Sequence, residues 1–271
     1  MTIDLDAYLG RLGYDGPRAP TVAVLRDLHR LHPQAVPFEN LDPLLRRPVR
    51  LDLPSLEAKM VRGGRGGYCF EQNTLFAAAL RALGFGVREA TGRVRYGVTD
   101  GVTLPRTHAV LLVEAEGETW AADVGFGGNV LTAPLPLNSR EPQQTPHEAA
   151  RLREETGRLV VEVLVNAAWT ALFAFDFSET VPADYELANW FTAAHPSSRF
   201  VNGLTAARCV TGARYALNDN ALSIHRTGAA SEKRVLGSAA EIRDALTDVF
   251  LLRLDGLDLN PVLARLAARA A

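Results

Sequence analysis

Apolar residues in the first third of the chain recur at intervals of three and four. Val24, Leu25, Leu28 and Leu31 fall on one face of a segment at 21–31. Phe76, Ala79, Leu80 and Leu83 line one side of a segment at 69–83, which Gly84 ends. A shorter stretch at 4–13 has the same period, so three helices are predicted. From 87 to about 181 the pattern changes to branched and aromatic runs broken by glycine, proline and charged turns, with a polar connection at 138–147. That spacing predicts strands in a β-barrel-like domain. The most apolar stretch, 160–177, is interrupted by Glu162, Asn166 and Asp176, so it reads as paired strands and not as a membrane span. A short helix is expected near 184, strands return at 209–226, and 241–252 and 261–270 look helical. The expected fold class is α+β in three parts: a helical domain at 1–86, a β-barrel domain at 87–183 and a mixed α/β domain at 184–271.

The 47% hydrophobic content of these 271 residues is ample for a packed core. A net charge of −2 leaves no basic field for nucleic acid, so none is expected as a partner. Cys69 and Cys209 are the only cysteines; they provide no disulfide framework and no zinc spacing, so no metal is expected and a reducing cytosol suits them. The opening residues, Met1 to Asp6, lack the basic and apolar regions of a secretion signal. A cytoplasmic protein without a membrane partner is therefore expected.

Chemistry concentrates in Arg62-Gly63-Gly64-Arg65-Gly66-Gly67-Tyr68-Cys69-Phe70-Glu71-Gln72-Asn73. The glycines permit close backbone approach, and Cys69 lands on the first turn of the predicted helix, among unpaired amides at the positive dipole end. A free thiol titrates near about 8.5; helix N-termini and cationic neighbours lower that to about 3.5–7.5, which favours the reactive thiolate. Taken alone, Cys69 also fits the common role of a small buried hydrophobe. A nucleophile needs a base, and the base an orienting group. His108 begins an apolar strand at 107–114, Ala115-Glu116-Gly117-Glu118 supplies a turn, and a second strand at 119–124 carries Asp123. In an antiparallel hairpin any loop of even length puts His108 and Asp123 on the same face, as direct or diagonal neighbours. There the carboxylate would hold the imidazole in one tautomer and stabilise its charged form. His29, His32, His147, His195 and His225 lack such a setting and are expected to be structural. Arg106 and Asp100 read as surface charge, and Arg265 and Arg269 as a solvated helix face. Gly125-Phe126-Gly127-Gly128-Asn129 can bring amides against an acyl group or phosphates, but has neither P-loop nor dinucleotide-binding spacing.

These blocks, together with Val36-Pro37-Phe38-Glu39-Asn40-Leu41, Thr107-His108 and Asp123-Val124-Gly125-Phe126-Gly127, resemble the arylamine N-acetyltransferases in order and spacing. Asn189-Trp190-Phe191 and His195-Pro196-Ser197-Ser198-Arg199-Phe200 resemble that family's weaker downstream signature. The resemblance implies a cysteine-protease-like core beneath a C-terminal lid, with Cys69 as the acetylated nucleophile, His108 as base and Asp123 as orienter. It further implies acetyl-CoA as donor and an arylamine or hydrazine as acceptor, joined by a ping-pong route, in a monomer or homodimer. Phe38, Val94, Tyr96, Phe126 and Phe200 would face the acceptor, and Thr107, Gly125, Phe126, Gly127 and Gly128 the donor. Arg88, Arg93, Arg95 and Arg106 are equal candidates for the CoA phosphates. Amide synthases that close polyketide chains share the cysteine, histidine and aspartate, and papain- or transglutaminase-like hydrolases also start a helix on their cysteine; both remain alternatives.

Overall fold

The computed structural model describes residues 2–99 and 102–267. Asp100 and Arg269, read above as surface charges, lie outside the described residues, as does the end of the helix expected at 261–270. Leu5–Leu12 is capped by Asp4 and Val22–Ala35 by Thr21, whose side chains accept the amides of Ala7 and Val24. The second helix runs on through Pro33, past the expected end at 31. Leu53–Leu56 passes into a π-helical turn, Glu57–Arg62, and Cys69–Ala82 is the long helix expected from periodicity. Its buried Phe76, Ala79 and Leu80 pack with Tyr8, Leu25 and Leu28.

The central sheet has seven antiparallel strands, in spatial order Leu135–Pro136, Glu118–Ala122, His108–Ala115, Gly86–Val94, Ala168–Phe175, Arg158–Val165 and Ala150–Glu155. It curls into a nearly closed, barrel-like form. The apolar stretch at 160–177 is the hairpin of Arg158–Val165 and Ala168–Phe175. His108–Ala115 is buried on both faces, which explains its almost continuous apolar run. Leu111 and Val113 face the helices, and Val110 and Leu112 face the barrel interior with Phe173.

The second sheet has the order Phe38–Glu39, Thr205–Val210, Ala213–Asn218, Ala221–Arg226 and Glu232–Val235. Its first strand comes from the segment expected to be helical; Phe38 pairs with Ala207 and Glu39 with Ala206. The helix expected near 184 is a full Pro182–Ala194. Ala239–Asp244 continues as a π-helical turn, Ala245–Val249, and Asn260–Ala267 follows. Leu204, Leu217, Leu246, Phe250 and Leu263 form the core behind this sheet. Arg265 is exposed on the last helix. Among the described residues no helix is long and apolar enough to cross a membrane.

Candidate active site

Cys69 is the first residue of its helix, and the turn before it is held from two sides. Gly67 donates to the Pro37 carbonyl and accepts from the Glu39 amide, docking the turn on Phe38–Glu39. A methyl group at Gly66 would lie 1.9 Å from the Pro37 oxygen, so only glycine fits there. One turn along, Glu71 accepts the Tyr68 amide and pairs with Lys59 at 2.7 Å. Burial outweighs Lys59 and pushes the Glu71 carboxyl up to about 7. Beneath the turn, Gln72 donates to the carbonyls of Val36, Pro37 and Gly67 and accepts from His32, which is bound in turn to Tyr8.

The hairpin behaves as the even-loop argument requires. Ala115 opposes Glu118 and Leu111 opposes Ala122, so the register extended by one step sets Asp123 opposite Val110, diagonal to His108 on one face. His108 Nε2 and Asp123 Oδ2 are 2.8 Å apart, with both side chains buried. Burial opposes charge on the imidazole, but the Asp123 carboxylate overcomes it, and the neighbouring Cys69 adds to the effect. Together they push His108 up to about 10. Asp123 is buried too, yet His108, the Asn73 amide and the Gly125 N–H hold its carboxyl below the ordinary value. Asp123 keeps His108 Nε2 engaged. The Cys69 thiol also reaches the Thr107 carbonyl, at 3.7 Å. Asp123 and His108 thus form a buried pair that can keep charge on an imidazole beside a carboxylate, with Cys69 held next to it through Thr107.

Two polar residues in this chain went unassigned in the sequence. Asn73 donates to Asp123 Oδ1 and the Ala109 carbonyl and accepts the Val124 amide. It lies four residues after Cys69, on the same helical face, and that spacing was the available signal. His29, expected to be merely structural, accepts the Asp123 amide through Nε2; burial lowers it to about 3, so it stays neutral. No local pattern could show a contact across 94 positions.

The aromatic residues form the walls. Phe126 meets the His108 ring edge-on at 5.2 Å and Tyr96 at 6.3 Å, while Phe173 lies 4.4 Å from His108 on another side. Phe38 and Phe200 are 5.8 Å apart, and Val94 is the register partner of Phe173. Gly125 backs directly on the nucleophile: a methyl group there would sit 2.7 Å from Cys69 Cα. One at Gly127 would touch the Phe38 ring at 3.5 Å, and one at Gly128 the Ala216 side chain at 3.7 Å. Three of the four candidate phosphate-binding arginines are engaged internally. Arg93 donates to the Leu104 carbonyl, Arg95 to Glu155 and Arg106 to both oxygens of Asp176. Arg88 is exposed. His147, His195 and His225 bind the Val210 carbonyl, Ser197 and Ser231.

A protein-family model described as N-acetyltransferase matches residues 21–259. An arylamine N-acetyltransferase of Mycolicibacterium smegmatis is 40% identical over 271 residues, covering 98% of each chain. An arylamine N-acetyltransferase / N-hydroxyarylamine O-acetyltransferase of Salmonella typhimurium is 44% identical over 208 residues, 77% of this chain and 74% of the relative. Among solved structures, the arylamine N-acetyltransferase of Mycobacterium marinum in complex with CoA superposes with a TM-score of 0.93 at 40% identity, over 98% of this chain and 99% of the other.

Proposed function

This chain belongs to the arylamine N-acetyltransferase family, and from that premise we propose that Cys69, His108 and Asp123 carry an acetyl group from acetyl-CoA to an arylamine or hydrazine in two half-reactions. In the first, Cys69 passes its proton to His108 and its sulfur attacks the acetyl carbonyl. The carbon–sulfur bond to CoA breaks, and the CoA thiolate takes the proton from His108. In the second, the uncharged amine attacks acetyl-Cys69, His108 takes the proton released from nitrogen, and the Cys69 thiolate leaves. Cys69 itself helps to hold a proton on His108. Acetylation removes that influence, leaving the imidazole freer to act as a base when the amine arrives.

The aromatic set of Phe38, Phe126, Tyr96 and Phe200 suits a flat acceptor, with Val94 beside it. Thr107, Gly125, Gly127 and Gly128 offer main-chain atoms to the acyl group. A cytoplasmic location belongs to the same reading and is supported by two cysteines that are both free. The observation that carries the proposal is the 2.8 Å contact of His108 with a buried Asp123, beside a cysteine on the first turn of its helix whose thiol reaches the carbonyl of Thr107, the residue before His108. Steady-state rates at varied acetyl-CoA and several fixed arylamine concentrations test it. Parallel double-reciprocal lines are expected. Intersecting lines would mean direct transfer in a ternary complex, and equal acetate release with and without amine would mean a hydrolase.

A further inference from the structure

The pairing of Glu118–Ala122 with its neighbour ends at Ala122, and the next three amides each find a different side-chain acceptor. The Asp123 N–H donates to His29 Nε2 at 3.1 Å, the Val124 N–H to Asn73 Oδ1 at 3.1 Å, and the Gly125 N–H to the Asp123 carboxylate at 2.8 Å. The first of these bonds is the one that holds the main chain of Asp123 itself. A backbone amide can only donate, so His29 Nε2 is an acceptor and the ring proton sits on Nδ1. Among the described residues Nδ1 has no hydrogen-bond partner, so the polar part of this side chain is directed at Asp123. Burial lowers the imidazole to about 3 against the pull of the Asp123 carboxylate, and the neighbouring His32 adds to burial. His29 therefore keeps its lone pair for the amide and does not compete with His108 for the carboxylate. The acceptor is also firmly seated. His29 is fully buried on the helix Val22–Ala35, and its ring meets Phe76 of the nucleophile helix edge-on at 6.0 Å. One turn further on, His32 Nε2 lies 2.6 Å from the Oε1 of Gln72, three residues after Cys69. The helix that grips Asp123 by its amide is thus fastened to the helix that carries the cysteine.

We propose that His29 is a positioning residue for Asp123: a hydrogen-bond acceptor that fixes the main chain where the strand ends, and so sets the reach of the carboxylate to His108. The bonds of Asn73 and Gly125 at Oδ1 hold one side of the carboxylate, and His29 holds the backbone behind it. A buried amide deprived of its acceptor is costly, so the peptide would turn toward another partner and the carboxylate would move with it. His108 would then lose part of the interaction that keeps charge on its ring. The groups that face His108 are Asp123 and Cys69, and those that face His29 are Asp123 and His32, so Asp123 is the link between the two imidazoles.

The assignment rests on the proposed roles of His108 and Asp123 and is tested with His29→Gln and His29→Leu. Glutamine can bring Oε1 near the position of Nε2 and still accept the amide, whereas leucine fills similar space and accepts nothing. Two quantities are read: the rate of CoA release on mixing with acetyl-CoA alone, and the pH at which the His108 ring titrates by NMR, its signal assigned by its absence in His108→Gln. His29→Leu should slow CoA release by about tenfold to 100-fold, the cost of a displacement of up to about 1 Å between reacting groups. It should also lower the pH at which His108 titrates. His29→Gln, which keeps the bond, should hold both quantities near wild type. A residue that only fills space would show the reverse order, with leucine the milder substitution. A His29→Leu enzyme as fast as wild type, or glutamine as damaging as leucine, would overturn the assignment. Should leucine prevent folding, the wild type decides: nitrogen–proton NMR correlations must place the His29 proton on Nδ1 throughout the neutral range, and the opposite tautomer, or a His29 ring that titrates there, would overturn the assignment equally. Asp123→Asn separates the two readings. If it releases CoA as fast as wild type, the roles of His108 and Asp123 fail; if it is slow while His29→Leu is fast, only the role of His29 fails.

Discussion

Gly125→Ala places one methyl group between the loop and the nucleophile helix. Its carbon would lie 2.7 Å from Cys69 Cα and 3.1 Å from both Gln72 Cβ and Asn73 Nδ2. Carbon pairs prefer about 3.5–4.0 Å, so loop and helix must separate by about 1 Å. The obstacle is backbone, and no rotamer change relieves it. Overpacking of this kind costs about 1–3 kcal/mol. At about 2–4 °C per kcal/mol for a chain of this size, the melting temperature should fall by about 2–12 °C. The effect on chemistry should be larger, because a displacement of about 1 Å between reacting groups can cost about 100-fold. The assay is CoA release on mixing enzyme with acetyl-CoA, read beside thermal unfolding. Gly128→Ala is the control within the loop: its methyl group would make an ordinary 3.7 Å contact with Ala216, and its effect should be slight. Gly125→Ala within twofold of wild type, or Gly128→Ala equally damaging, would refute the backbone contact between loop and nucleophile.

Asp123→Asn removes the carboxylate that holds a proton on His108, so the pH profile of acetyl transfer should change and turnover should fall severely; a profile and rate superimposable on wild type would count against the roles of His108 and Asp123. The same pair sets a stability window. His108, raised to about 10, stabilises fully below 6.5 and loses that contribution as pH rises through about 10, while Asp123 contributes above 3.8 and is lost as pH falls through its depressed value. The urea midpoint of wild type should therefore fall between pH 7 and 10 more steeply than that of Asp123→Asn. Asn73→Ala leaves Asp123, the Ala109 carbonyl and the Val124 amide each short of a partner and should destabilise by about 2–4 kcal/mol in urea unfolding. Cys209 is buried, which pushes its thiol up to about 11, so iodoacetamide should modify Cys69 first and Cys209→Ala should keep wild-type turnover.

What could be read in the chain follows the range of each interaction. The helix Cys69–Ala82 and the hairpin of Arg158–Val165 with Ala168–Phe175 are local, and periodicity marks both. The meeting of His108 with Asp123 was legible because a hairpin converts sequence separation into geometry through one integer, the loop length. Phe38–Glu39 was not legible as a strand: two residues carry no period, and their partners lie at Ala206 and Ala207. The segment at 53–62 hid for another reason, since Glu57, Lys59 and Arg62 interrupt its apolar residues. His29 acts through a single long-range bond that no spacing announces. The internal bonds of Arg93, Arg95 and Arg106 are likewise made with distant carbonyls and carboxylates, invisible in the chain.

The covalent state of Cys69 tests the central claim most directly. Enzyme mixed with acetyl-CoA alone should release one equivalent of CoA, and the peptide containing Cys69 should gain one acetyl group by mass spectrometry. Addition of an arylamine should discharge that peptide and yield the N-acetyl product, and Cys69→Ala should do neither. CoA release that requires the amine, with no acetylated peptide under any condition, would contradict the account.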